Sequence, residues 1–355
     1  MRSNKTLYGT KNQKTTTSTT RPRVRRSRTR AAVVGVSAGS LAAVAALATF
    51  SLTSGPAGVA TPRTTGILTS ASTSATTTGI PAGFPTGTNS GVQAGTVLKN
   101  VPGQVSSGPG WTWNPAGGGY ADVTGNGANL SGLRIPGNVD VSGNNVTLNN
   151  VSITVSGGGD TYGVDLRHTA NVTIEHSSIQ GTNLTTGRLG EGIKDIYGDA
   201  TGTKVLDNNI QKTDTAVQIF QGTIEGNYIH NLGMISTDHV NGITTNGDTQ
   251  HLLIQNNTIL NKFGQTDAIG LFQDFSVVSN VTINDNLLAG GGYSLYGGEG
   301  GQGQSSNIKV TNNEFSTMYF KNGGAYGPVA YFDSQGPGNT WTGNTWTTGA
   351  TVPAP

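Results

Sequence analysis

Charged side chains make up only 11% of this 355-residue chain, so the few that recur in register carry most of its chemical information. Glu191 and Lys194 stand three residues apart in EGIKDIYG. Asp238 and His239 lead into Asn241 in DHVNGI, and Asp267 opens DAIGLFQ. Two carboxyl groups a short distance apart can divide acid and base or nucleophile roles. A Lys that gives up its proton can act as a base towards carbon. Lys194, Asp238, His239 and Asp267 are therefore the candidate catalytic residues. The chain has no Cys, which excludes disulfides and thiolate metal sites.

An internal repeat must position these groups. One eight-residue phrase recurs as VTLNNVSI (146–153), VTIEHSSI (172–179), TKVLDNNI (203–210), GTIEGNYI (222–229), LLIQNNTI (252–259), VTINDNLL (281–288), IKVTNNEF (308–315) and NTWTGNTW (339–346). Its third and eighth positions are apolar, as expected of a strand, a tight bend and a second strand. A second apolar phrase follows most repeats, for example YGVDLRH (162–168), TAVQIFQ (215–221) and GPVAYFD (327–333), and reads as one further strand per turn. Spacings of 19 to 31 residues suit a solenoid that lets loops leave between strands. The expected fold is all-β: a single-stranded right-handed parallel β-helix of about eight or more coils. Asn208, Asn227, Asn257, Asn286, Asn313 and Asn344 share the sixth position, where stacking builds an Asn ladder. Asn tolerates left-handed backbone, which suits the bend. Trp111 and Trp113 are placed to cover the first coil, and Trp341 and Trp346 the last.

Aligning the second phrase on its apolar anchor gives two outward columns. One reads Asp165, Lys194, Gln218, Thr244, Gly270, Tyr296, Ala330. The other reads Tyr162, Glu191, Thr215, Asn241, Asp267, Tyr293, Gly327. Glu191, Gln218, Asn241, Thr244 and Tyr296 are the candidate substrate-binding residues of this polar face. Lys194 is either a base or a solvated Lys paired with Asp165 one coil away. Asp195 falls in an inward column, so either the strand bulges there or the carboxylate is functional. Glu191 and Asp267 are three coils apart, roughly 14 Å, beyond the ~5–9.5 Å of paired acids. Asp238 with Asp267 is the better pair. Hard-oxygen binding of Ca²⁺ by Glu191, Asp195, Asp238 and Asp267 is a further possibility; no other cofactor is indicated. Tyr293, Tyr296, Tyr319 and Tyr326 are candidates for stacking on sugar rings or for core and loop packing.

Residues 1–60 hold ten Lys and Arg and no Asp or Glu, so the remainder carries eleven basic against nineteen acidic side chains. An acidic body argues against a nucleic-acid partner. Basic Arg21–Arg30, apolar 31–50 and small residues at 57–60 make residues 1–60 a signal peptide or N-terminal anchor. Residues 61–90, rich in Thr and Ser, read as a flexible linker, and residues 91–355 as the β-helix domain. Both readings of the N-terminus put the domain outside the cytoplasm or at the cell surface, as a monomer without stable membrane insertion after cleavage.

The Asn-containing repeats, NLLAGGGYSLYGG (286–298) and GAYGPVAYF (324–332) resemble the pectate-lyase-like superfamily of right-handed β-helix proteins, and more narrowly secreted actinobacterial β-helix proteins. The resemblance covers residues 91–350. It implies a carbohydrate-active protein that cleaves a polysaccharide by lyase or glycosidase chemistry on the polar face. In such lyases a Lys or Arg takes the proton α to a uronate, which the resemblance assigns to Lys194. It equally implies a non-catalytic module that binds or adheres to a surface glycan, because this fold does not assign the chemistry.

Overall fold

The computed structural model describes residues 79–158, 161–236 and 238–355. The expected signal segment (1–60), the linker up to residue 78 and Thr237 lie outside the described residues. The described chain is a parallel β-solenoid of about eight turns with about 1% helix. Each turn contributes one strand to each of three sheets. Sheet 1 takes the first half of the repeated phrase (Thr147–Asn149, Thr173–Glu175, Lys204–Leu206 and so on). Sheet 2 takes its second half (Ser152–Val155, Ser178–Gly181, Asn209–Gln211). Sheet 3 takes the second phrase (Tyr162–Leu166, Leu189–Asp195, Thr213–Gln218, Asn241–Thr245, Asp267–Leu271, Tyr293–Gly297, Gly327–Ala330).

The third and eighth positions of the phrase fill the core: Ile174, Ile179, Val205, Ile210, Ile254 and Ile259 are fully buried. Fully burying an aliphatic side chain is worth about 1.5–3 kcal/mol, and one coil stacks the same type on the next. Between these positions the Asn ladder forms as expected. The Asn227 Oδ1 accepts from the Asn208 backbone N–H at 2.9 Å and from its Nδ2 at 3.0 Å. Asn257, Asn286, Asn313 and Asn344 repeat the contact down the stack. Each Nδ2 also donates to a strand carbonyl, as Asn257 does to Ile224 O at 2.9 Å. The ladder runs on through Ser177, whose N–H donates to Asn208 Oδ1.

The left-handed residue of the bend is not the ladder Asn but the one before it. Asn150, His176, Asp207, Gly226, Asn256, Asp285, Asn312 and Gly343 all have φ between 47° and 71°. The division is physical. The fifth position turns the chain and projects outward, which leaves the sixth free to point inward and bond along the stack.

Strands 107–108, 111–114 and 120–123 enter sheet 3 through antiparallel pairs, and Trp111 is buried against the first coil. At the other end Trp341 and Trp346 pack on Phe315, and Trp341 Nε1 donates to Val352 O. Residues 79–95 cross the coils in reverse order. Ile80 packs with Tyr228, Leu260, Ala289 and Met318; the Gly91 N–H donates to Asp207 O at 2.7 Å and the Gln93 N–H to Asn150 Oδ1 at 2.8 Å. Packed chain thus begins ahead of Gly91, because Ile80 finds an apolar hollow that composition alone does not reveal.

Candidate functional site

The register of sheet 3 places both outward columns as aligned. Asp165, Lys194, Gln218, Thr244, Gly270, Tyr296 and Ala330 are successive partners. Tyr162, Glu191, Thr215, Asn241 and Asp267 form the neighbouring column. Strict alternation would bury one of the two. Instead two consecutive residues face the core: Ala216 with Val217, Ala268 with Ile269 and Ser294 with Leu295 are all fully buried. Residues i and i+3 therefore share the outer face. Glu191 and Lys194 meet at 3.0 Å, and the rings of Tyr293 and Tyr296 meet edge to face at 5.5 Å.

Lys194 Nζ donates to Glu191 Oε1 and to Gln218 Oε1. It is not paired with Asp165, which is buried and accepts from Asn138 at 2.9 Å and from Arg167 at 2.6 Å. Arg167 also bridges to Asp140 at 2.9 Å. Burial and then the charge of Asp140 raise the Asp165 carboxyl above its usual range. The bulge expected at Asp195 is absent: Leu166 and Asp195 are in register. The carboxylate instead accepts from the backbone N–H of Gly198 at 2.9 Å and of Ala200 at 3.1 Å, closing the turn after the strand. Burial still pushes its affinity for a proton up.

Asp238 does not pair with Asp267. The guanidinium of buried Arg188 holds it through Nε and NH2, both at 2.5 Å, and the Ile235 N–H donates to it at 2.6 Å. Arg188 also lies 3.8 Å from Asp214. Burial, then the charges of Asp238 and Glu191, push the Asp214 carboxyl up to about 7, against the opposing pull of Arg188. Asp214 breaks no repeat rule, which is why alignment of the phrases overlooks it. The signal available was Arg188, a charge that has to be buried with partners. His239 is exposed, and its backbone carbonyl accepts from Asn241 Nδ2.

Asp267 is wholly buried, and neither carboxylate oxygen has a hydrogen-bond partner. Burial raises its proton affinity well above that of an ordinary carboxyl. Gly270 makes its seat: a Cβ there would lie 2.5 Å from Asp267 Oδ2 and would strike the ring of Phe272. Next to it, Asn241 Oδ1 and Thr244 Oγ1 are buried and likewise unpartnered. Asn241, Thr244, Gln218 and His239 line a hollow of about 290 Å³ that reaches Phe272 and Asp274.

Towards the last coils the face is aromatic. Tyr296 packs against Phe272 at 5.4 Å, Tyr293 at 5.5 Å and Tyr331 at 5.7 Å, the last nearly parallel at 13°. Tyr326 joins through Tyr293 at 5.9 Å. Tyr331 is 58% exposed and has φ +56°, an uncommon backbone for a bulky residue. Burial and then the nearby Asp267 push the Tyr296 hydroxyl up to about 12. Tyr319 lies apart from these rings. A second hollow of about 240 Å³ lies between Phe272, Tyr296 and Tyr331, with Asp274 and Glu299 in its lining. A third, of about 480 Å³, lies beside Lys194 and Gln218, walled by Tyr197 and Phe275.

The hollows share residues. Gln218 and Asn246 belong to two of them, and Phe272 and Asp274 to the next two, so they adjoin one another along sheet 3. Among the described residues, no three acidic or His side chains converge to hold a metal. The four residues of the Ca²⁺ set have other surroundings: Asp195 takes turn amides, Asp238 Arg188 and Glu191 Lys194, and Asp267 is wholly buried. No protein-family model and no curated protein matches the sequence.

Proposed function

We propose that this is an exported carbohydrate-active protein whose sheet 3 face holds an extended glycan. The observation that carries the reading is the row of adjoining hollows along sheet 3. It is lined by Gln218, Asn241 and Thr244 in the middle and by Phe272, Tyr296 and Tyr331 at one end. Lys194 to Tyr296 is four coil steps, roughly 19 Å, which suits a chain rather than a single small molecule. Aromatic faces cover the apolar faces of sugar rings, and buried polar atoms without partners favour a ligand rich in hydrogen bonds. Retention of the purified protein on a panel of immobilised polysaccharides tests this; retention on none of them sinks it.

Cleavage is the second reading, and Asp214 favours it. A carboxyl near 7, beside Glu191 and the Arg188–Asp238 pair, suits proton donation at neutral pH. Asp267, closed off from solvent, is a poorer donor for a bound chain. New reducing ends would report hydrolysis, and ultraviolet absorbance of unsaturated uronates would report elimination with Lys194 as base. Either activity should vanish in Asp214→Asn or Lys194→Ala respectively. Binding without products leaves the non-catalytic module.

A further inference from the structure

We infer that the late end of this row of hollows selects an amino sugar whose amine is free and protonated. This rests on the glycan reading and names the substrate class of the same site. The middle hollow holds a buried acceptor with no partner, beside the amides of Gln218 and Asn246. Asn241 Nδ2 donates to His239 O and to Thr215 Oγ1, and the carbonyl partner fixes which way the amide faces. Its Oδ1 is buried, in a residue 8% exposed, and is left without a donor. Thr244 Oγ1, at 3% residue exposure, is also open. The adjoining hollow sets Phe272, Tyr296 and Tyr331 beside two exposed carboxylates, Asp274 and Glu299. No Lys or Arg lines either hollow.

An ammonium group matches this set in three respects. It brings three donors and no acceptor, which suits Asn241 Oδ1. It is attracted by the negative faces of aromatic rings. It is complementary to the acidic rim, which repels a uronate. N-acetylation removes the charge and two of the donors. A neutral hexose keeps the stacking and loses the charge pairing.

Isothermal titration calorimetry on the full chain, at mildly acidic pH, separates the cases. The probes are a β-linked glucosamine tetramer, its fully N-acetylated counterpart, a β-linked glucose tetramer, tetramethylammonium chloride and calcium chloride. The expected result is binding of the glucosamine tetramer about tenfold tighter than either neutral tetramer. About tenfold weakening is expected in Asn241→Leu and in the exposed-ring variant Tyr331→Ala, each checked for an unchanged circular dichroism spectrum. Equal affinity for all three tetramers overturns the amine preference and leaves glycan binding standing. Tetramethylammonium or calcium binding as tight as the glucosamine tetramer shows a bare cation site and overturns the proposal. Failure of every tetramer overturns the proposal and the glycan reading together.

Discussion

The Asn ladder and the outer face of sheet 3 are both columns of polar side chains, one residue per coil, yet they are bonded in opposite ways. Inside the ladder, as at Asn227 and Asn257, the Oδ1 takes two donors from the preceding coil and the Nδ2 reaches a carbonyl and the next Asn. Nothing is left over. On the face the residue type changes at every coil, and Asn241, Thr244 and Asp267 keep buried oxygens with no partner. A repeated polar residue can satisfy its own copy above and below. A column that varies cannot, so its unmet hydrogen bonds are available to something else.

The sharpest way to break the contrast is to damage the saturated column. Asn257→Leu orphans the Asn227 N–H and the Ile224 and Gln255 carbonyls. At about 1–3 kcal/mol per buried group, urea unfolding should show a loss of about 4 kcal/mol or more. Asp238→Ala comes next. It strands the Arg188 guanidinium, with an expected loss of about 3 kcal/mol by the same measurement. An unchanged midpoint would show that the ion pair does not hold the 231–241 segment.

On the face the sign reverses. Asp267 binds a proton more tightly in the folded chain than in the unfolded one. Above the ordinary carboxyl value of about 3.9 the unfolded chain releases that proton and the folded chain keeps it. Stability from this residue is therefore full at low pH and falls by about 1.4 kcal/mol per pH unit as pH rises towards the folded value. Asp267→Asn should remove that slope and gain on the parent protein as pH rises above the ordinary carboxyl value. Thermal unfolding across pH checks this, and parallel curves for the two proteins would refute it. The smallest effect on stability is expected at Tyr331→Gly. Relief of the left-handed strain offsets lost stacking, so unfolding should move by less than about 1 kcal/mol while glycan retention drops.

These cases mark what was legible. The third, sixth and eighth positions of the phrase are scaffold because they repeat, and they pack and bond as their types require. The register of the face was also legible, since the apolar anchors align it. The pairings of its charges were not. Asp165 turns to Arg167 instead of Lys194, Asp195 to the amides at 198 and 200, and Asp238 to Arg188, fifty residues away in the chain. Each choice depends on which loop lies within about 3 Å, and loops between strands of a β-helix carry no period.

By itself the sequence determined the three-sheet coil, the ladder and the order of residues along the face, because strand periodicity and stacking are local and repeated. Only the tertiary structure decided which polar groups remain open. That Asp267 is buried over Gly270, that Asn241 spends its amine on His239, and that Phe272, Tyr296 and Tyr331 meet are outcomes of three-dimensional packing. Hydrogen-bond satisfaction is a property of neighbours in space, and for loop residues those neighbours are distant in the chain.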